Sequence, residues 1–200
     1  MKHLDFRSDF ATDEEFANFR ALILNNRASS YFYRSASAIT NYYGRAATVK
    51  SIMGKKGITS ILDLSSIRCR CESEEFGYEL SRRLKTLLSR PGPFIVQCDS
   101  GKKRTGFACI ILEALSNTSY YNIVKDYLES YQNNNGLDLE KNPETVAAII
   151  TQRINSHIKF IAESSLDIAT SHLQDAAKKY LSKYGLSSSE ISQLQSVLLK

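Results

Sequence analysis

Residues 94–106 constrain the fold of this chain more than any other segment. Residues 94–96 are aromatic or β-branched and follow a Pro-Gly-Pro breaker, whereas residues 105–115 are mostly apolar with helical spacing. The pattern predicts a buried strand, a loop over residues 98–104 and then a helix. Since strands that alternate with helices are typical of α/β folds, we expect a central sheet flanked by helices.

The predicted loop begins with Cys98 and ends with Arg104, two side chains suited to phosphate chemistry. Backbone N–H groups of such a loop can converge on an anion, and the N-terminus of the following helix adds partial positive charge. The same field favours the thiolate, which is the nucleophilic form of a cysteine. A guanidinium group can hold two phosphate oxygens through parallel N–H bonds, which lysine cannot do. The sequence therefore predicts that Cys98 attacks a phosphate held by Arg104.

Two other interpretations of the loop compete with this one. Cys98 could be a buried thiol at the end of a strand, with Arg104 on the helix surface. Four features argue against that interpretation, because each lies where a phosphate site needs it: the strand, Gly101, the Arg-Thr-Gly sequence and the apolar helix. A nucleotide-binding loop is disfavoured because Lys102 is followed by Lys103 rather than by Ser or Thr.

The sequence from Cys98 to Arg104 resembles the Cys-x5-Arg signature of the protein tyrosine phosphatase superfamily. Further segments resemble bacterial tyrosine and lipid phosphatases with a Gly-Lys-Asp-Arg loop, namely residues 33–37, 57–64, 126–128 and 179–187. The resemblance implies a protein tyrosine phosphatase-like, mostly parallel sheet flanked by helices, with a helical C-terminal part. It also implies that phosphomonoesters are hydrolysed through a thiophosphate intermediate on Cys98, without a metal or other cofactor. The implied substrates are phosphotyrosine proteins, phosphoinositides, or both, as in dual-specificity enzymes.

Two residues depart from the pattern of these phosphatases. Gln97 stands where they usually have histidine, and it can still form hydrogen bonds that shape the loop. Lys103 replaces the aspartate that usually precedes the arginine, so a carboxylate with a part in catalysis is absent and positive charge is added. An active phosphatase therefore competes with a second hypothesis, a pseudo-phosphatase that binds phosphorylated protein or lipid but turns it over poorly.

The proton donor for the leaving group is a third departure. The resemblance implies an aspartate general acid in the loop that is residues 65–75 here, but this segment contains no aspartate. The candidates for this proton donor are Glu72 in the same segment, Asp99 in the loop of residues 98–104 (the phosphate loop) and Asp63 at the end of a strand. Because Asp63 is more simply a residue that hydrogen-bonds loop backbone, the sequence leaves the general acid open.

The residues predicted to bind phosphate are consecutive: Asp99, Ser100, Gly101, Lys102, Lys103 and Arg104. The paired lysines resemble those of phosphatases that act on phosphoinositides, where extra cations meet neighbouring phosphates. Thr105 can cap the helix and can also donate a hydrogen bond to the departing thiolate, so we count it as catalytic. A phosphotyrosine slot would need apolar walls, for which the candidates are Phe32, Tyr42, Tyr43, Phe76 and Tyr78.

We expect a single domain over residues 1–200, because no linker-like stretch divides the chain. It would comprise an N-terminal extension at about 1–30 and a helical C-terminal part at 137–200. Predicted helices cover residues 13–24, 45–55, 74–89, 105–116, 119–132, 143–161, 164–184 and 188–199, and predicted strands cover residues 31–33, 58–64 and 94–98. The last two strands flank a helix and are therefore expected to be parallel.

Charge and hydropathy bear on partners and location. Lys and Arg number 26 and Asp and Glu number 21, which gives a net charge of +5. This is a mixed surface with a basic bias rather than a nucleic-acid tail, so no nucleic-acid partner is expected. The expected partners are a phosphorylated protein or a phosphoinositide, with peripheral contact to an anionic membrane as a further hypothesis. The four cysteines lack the Cys-x2-Cys spacing of a zinc site, so no metal is predicted. Without an apolar run of ~20 residues or a signal-peptide core, we expect a cytoplasmic protein, with export into a host cell as the alternative that the resemblance raises.

Overall fold

A computed structural model describes residues 3–163 and 172–200. A four-stranded sheet in the order β1-β2-β4-β3 lies at its centre. The strands are β1 (Arg20–Leu24), β2 (Arg27–Ser35), β3 (Ser60–Asp63) and β4 (Phe94–Gln97). β1 pairs with β2 antiparallel, whereas β2 and β3 both pair with β4 in parallel. The predicted α/β fold with a mostly parallel sheet is confirmed, including the parallel pairing of β3 with β4.

Helices flank this sheet. They are α1 (Asp13–Phe16), α2 (Ala46–Lys55), α3 (Glu74–Leu88), α4 (Lys103–Leu115), α5 (Tyr120–Asn135), α6 (Pro143–Ile149), α7 (Asn155–Ala162), α8 (Leu173–Lys183) and α9 (Ser188–Leu198). A π-helical segment, Ile150–Ile154, joins α6 to α7. Residues 164–171 of the helix predicted at 164–184 lie outside the described residues. None of the described helices is long and apolar enough to cross a membrane.

The central strand β4 separates two apolar clusters. Ile95 belongs to a small cluster that includes α2, whereas Phe94 and Val96 belong to a larger cluster with α3, α4 and α5. Because successive residues of a strand face opposite sides, a strand covered on both faces is apolar throughout. Leu181 of α8 and Leu194 of α9 are fully buried in the larger cluster, so the C-terminal helices pack into the main core.

The helix predicted at residues 13–24 is wrong beyond Phe16. Asn18 has a left-handed φ of 48° and turns the chain from α1 into β1. Alternate side chains of β1, Leu22 and Leu24, are buried against the core. Pairing in the sheet therefore overrides a pattern that also fits a helix.

A hairpin joins β1 to β2. Leu24 pairs with Arg27, and the two residues between them, Asn25 and Asn26, have φ values of 47° and 62°. Positive φ at both central residues is the geometry of a type I′ hairpin turn, which asparagine tolerates. Part of the segment predicted as an N-terminal extension thus forms β1, and β2 is longer than the strand predicted at residues 31–33.

The parallel strands β2, β3 and β4 end at one edge of the sheet. The segments that follow them, residues 36–45, 64–73 and 98–102, therefore meet at this edge, which is where open α/β sheets bind ligands. The loop singled out by the sequence lies among them.

Candidate active site

The loop after β4, residues 98–102, has all its carbonyl groups occupied. The carbonyls of Cys98, Asp99 and Lys102 accept backbone hydrogen bonds, and those of Ser100 and Gly101 accept bonds from side chains. In contrast, several N–H groups have no acceptor among the described residues, including those of Ser100, Lys102, Lys103 and Arg104. Unpaired N–H donors in a loop and at the start of a helix form an anion-binding site.

Two buried side chains hold the loop in this orientation. Asn18 Nδ2 donates to the carbonyls of Ser100 at 3.2 Å and Gly101 at 3.0 Å, and Arg34 Nη2 donates to the carbonyl of Gly101 at 2.9 Å. Sequence reasoning did not find Asn18, because this residue falls inside the helix that was wrongly predicted over residues 13–24.

Asp126 of α5 extends this network. Its carboxylate pairs with Arg34 and with Arg20, whose Nε lies 2.7 Å from Oδ1. Burial opposes the charge on Arg34, but the paired Asp126 carboxylate raises the pKa of Arg34 above its ordinary value. The permanently charged guanidinium of Arg34 on β2 therefore contacts both the loop, at the Gly101 carbonyl, and α5, at Asp126.

Gly101 has to be glycine. Its φ is +66°, and a Cβ atom there would lie 2.3 Å from the carbonyl oxygen of Ser35. Both the left-handed backbone and this close approach exclude a side chain.

Cys98 lies at the start of the loop and is only 4% exposed. Cys71 lies near Cys98, on the neighbouring loop. Burial raises the pKa of the Cys71 thiol to about 12, and the negative charges of Glu72 and Cys98 contribute. Cys71 therefore stays protonated beside the proposed nucleophile.

Arg104 contacts protein through a single nitrogen. Its Nη1 donates to the carbonyl of Ser65 at 3.0 Å, to the carbonyl of Leu64 at 3.4 Å and to Asp99 Oδ2 at 3.2 Å. Within the described part of the chain, Nε and Nη2 have no partner, so this side of the guanidinium can donate parallel hydrogen bonds to two oxygens of an anion.

A cavity of about 340 Å³ opens beside Arg104. Its described lining is Cys69, Arg70, Cys71, Glu72, Lys103, Arg104, Tyr127, Arg153 and His157. Four basic side chains face a single carboxylate, so the cavity favours anions.

The five aromatic residues considered as walls of a phosphotyrosine slot are not among the described residues that line this cavity. Tyr127 lines the cavity instead. Phe32 and Phe76 are fully buried in the core, whereas Tyr42 and Tyr78 are 79% and 56% exposed. The sequence could not separate core aromatic residues from those of a pocket.

Glu72 lies in the cavity with a histidine partner. Its Oε1 is 2.7 Å from Nδ1 of His157, whose Nε2 is 3.1 Å from the hydroxyl of Tyr127. Burial lowers the pKa of His157 and raises the pKa of Tyr127, so the ring is neutral and the hydroxyl protonated near pH 7. His157 was not found by sequence reasoning, because a lone histidine in a helix carries no motif.

The other two candidate acids brace loops. Asp63 Oδ1 accepts from the N–H of Ser65 at 3.2 Å and from Gln97 Nε2 at 3.3 Å, and Asp63 borders a different groove. Asp99 accepts from Thr40 Oγ1 at 2.9 Å and pairs with Arg104. Of the three, only Glu72 is among the described residues that line the cavity.

Lys102 and Lys103 differ in their surroundings. Lys102 is half-buried, donates from Nζ to Asn135 Oδ1 at 2.8 Å and lies 4.6 Å from the centre of the Tyr131 ring. Burial lowers its pKa to about 8, helped by nearby positive charges, first Lys103. Lys103 is exposed and lines the cavity.

Thr105 lies inside the first turn of α4, because the helix begins at Lys103, two residues earlier than predicted. Its hydroxyl is buried and has no hydrogen-bond partner among the described residues, so it does not cap the helix. The hydroxyl is therefore available to another acceptor at this end of the helix.

No group of three or more His, Cys, Asp and Glu side chains in the described part of the chain could hold a metal ion. The sequence model described as a tyrosine phosphatase family matches residues 65–200. The match spans the phosphate loop and all the residues that line the cavity. No curated protein matches the chain.

Proposed function

The chain belongs to the tyrosine phosphatase family and is a phosphatase; we propose that it hydrolyses phosphomonoesters through Cys98 without a metal ion. The observation that carries this proposal is the orientation of the loop after β4. Its carbonyls are all occupied, while the N–H groups of Ser100, Lys102, Lys103 and Arg104 are unpaired among the described residues. A phosphoryl group bound there would meet backbone donors and the free side of Arg104.

In the first step, the Cys98 thiolate attacks phosphorus, so the S–P bond forms while the bond to the leaving oxygen breaks. Glu72 supplies the proton that the leaving oxygen needs, and the His157 ring lies beside its carboxyl group, with Nδ1 2.7 Å from Oε1. In the second step, Glu72 takes a proton from water, whose oxygen attacks phosphorus and releases the thiolate. The Thr105 hydroxyl donates to this thiolate.

The substrate is a phosphoinositide or a phosphotyrosine protein. The lining of the cavity supports the phosphoinositide as the better substrate, because it is mostly charged and Tyr127 is its one phenol ring among the described lining. A polyol ring has hydroxyl groups that can bond to such walls, whereas a phenyl ring gains most from apolar ones.

The test is phosphate release with a chelator present, from an aryl phosphate, a phosphotyrosine peptide and a panel of phosphoinositides. We expect many turnovers per enzyme molecule for wild type and none for Cys98→Ser. Turnover that persists in Cys98→Ser, or that needs an added metal ion, would refute the mechanism. If wild type releases nothing but binds the phospholigands as well as Cys98→Ser does, the chain is a binding module.

A further inference from the structure

Arg153 lines the active-site cavity from a different element than the phosphate loop. It belongs to the π-helical segment Ile150–Ile154, and it has no hydrogen bond or ion pair with another described residue. An exposed arginine without partners is common on protein surfaces and needs no explanation by itself. Its surroundings distinguish this one.

The π-helical segment shapes the cavity wall. Such segments are rare and frequently lie at functional sites, because the wider turn changes which side chains face a neighbour. Here Ile149 and Ile154 are buried in the core, whereas Arg153 between them is exposed at the cavity. The wider turn thus lies where the guanidinium reaches the cavity.

Positive charge accumulates around Arg153 without matching carboxylates. Arg70, Lys103 and Arg104 line the same cavity, and Glu72 is the one carboxylate in its described lining. The charge of Arg153 also reaches Lys102, whose pKa is lowered to about 8 first by burial and then by neighbouring cations. Like charges held together are stabilised when a multivalent anion binds among them.

We propose that Arg153 binds a second phosphate group of the substrate, beside the phosphate held by Arg104. This inference rests on the proposed function and names the substrate class as a polyol ring with at least two phosphates. The cavity of about 340 Å³ falls within the range of small-ligand pockets, roughly 300–1,000 Å³. The ring can be the headgroup of a lipid or a free inositol phosphate, since the chemistry at Arg153 is the same.

The experiment measures kcat/KM for two soluble inositol phosphates, one with a single ring phosphate and one with two. The preference is the value for the bisphosphate divided by the value for the monophosphate. We expect Arg153→Gln to lower this preference about 10- to 100-fold, because a hydrogen-bonded contact between charges is lost. Arg153→Lys should restore part of it, since the charge remains but the planar fork does not. Arg27→Gln removes an exposed arginine outside the cavity and should leave the preference unchanged.

The same comparison is then made with these headgroups on lipids in phosphatidylcholine vesicles. It distinguishes a lipid headgroup from a free inositol phosphate as the ligand of Arg153. An equal fall in preference for soluble and lipid-borne rings supports a ring-phosphate site. A fall only on vesicles would overturn it in favour of a membrane contact, and an unchanged preference in both would also overturn it.

The second phosphate site can be tested by binding even if the protein does not catalyse phosphate release. If wild type hydrolyses neither inositol phosphate, the same ligands are bound to Cys98→Ser at equilibrium, with and without Arg153→Gln. A selective loss of affinity for the bisphosphate upholds the second phosphate site even then. Equal affinities would refute it.

Discussion

Among single residues, Glu72 is the one whose proposed role depends most on its partners. It lies in a cavity with Arg104 and is 2.7 Å from His157, whereas Asp63 and Asp99 are bonded to the loops that they brace. The segment around it lacks the aspartate expected from the resemblance. Glu72 is a carboxylate at another position of the same segment, and it lines the cavity together with Arg104.

We predict that Glu72→Gln lowers kcat/KM by about 10²- to 10⁴-fold for an alkyl phosphate and much less for an aryl phosphate. The reason is that a phenolate leaves readily without a proton, whereas an alkoxide does not. Steady-state kinetics with both substrates measures the difference. Glu74→Gln, which changes an exposed carboxyl group at the start of α3, is the matched control. An equal loss on both substrates would show that Glu72 is not the acid.

Lys102 provides a second prediction at this scale. Its pKa of about 8 means that it is mostly protonated at pH 7 and mostly neutral at pH 9. Affinity for an oxyanion should therefore fall over this range, by at most about tenfold, because the protonated form adds positive charge to the donors that Arg104 and the loop keep at every pH. The nearby Cys71, with its pKa raised to about 12 by burial, does not titrate there.

The measurement is calorimetric binding of tungstate, a tetrahedral oxyanion, to Cys98→Ser at pH values from 7 to 9. Lys102→Arg keeps its charge throughout and should show a flat profile. A profile that is equally steep in Lys102→Arg would assign the pH dependence to another group.

At the scale of elements, the loop after β4 depends on a close approach to β2. Gly101→Ala would force a Cβ atom to within 2.3 Å of the Ser35 carbonyl oxygen. The loop would have to shift, and misplacing a phosphate site in this way costs about 10²-fold in kcat/KM.

The control is Gly57→Ala. Gly57 has a similar φ of +63°, but nothing lies within 4 Å of the added atom. It should lower stability through backbone strain of about 1–2 kcal/mol and leave kcat/KM unchanged. Comparable losses of activity in both variants would rule out the specific contact between Gly101 and Ser35.

The elements differ in how well the sequence predicts them. The apolar run of β4 and the helical spacing of α3 and α4 are local signals, and the phosphate loop between them follows from its own residues. β1 was missed because its burial depends on pairing with β2, and the Asn25-Asn26 turn was not recognised. Asn18, His157 and Arg153 lie far from the motif in sequence, so only the folded chain brings them to the site.

At the scale of the whole molecule, Asp126 joins distant parts of the fold. It pairs with Arg20 of β1 and Arg34 of β2 from its position on α5, and Arg34 in turn holds the phosphate loop. Arg34 and Asp126 are almost fully buried. Removing the negative charge would leave the buried Arg34 without its ion-pair partner, whereas Arg20 would keep only Glu129, at 3.6 Å.

We predict that Asp126→Asn lowers the free energy of unfolding by about 3–5 kcal/mol, measured by urea denaturation. Asp138→Asn removes a carboxylate from an exposed ion pair with Lys141 and should be indistinguishable from wild type. Similar, small changes in both variants would mean that the buried network does not hold the fold together.

The most direct test of the proposed mechanism is acid quenching during turnover of an aryl phosphate, followed by mass spectrometry of the peptides. We predict a phosphoryl group on the peptide that contains Cys98, which forms before phosphate is released and disappears when substrate is exhausted. Phosphate release without any phosphorylated peptide, or with the group on another residue, would contradict nucleophilic catalysis by Cys98.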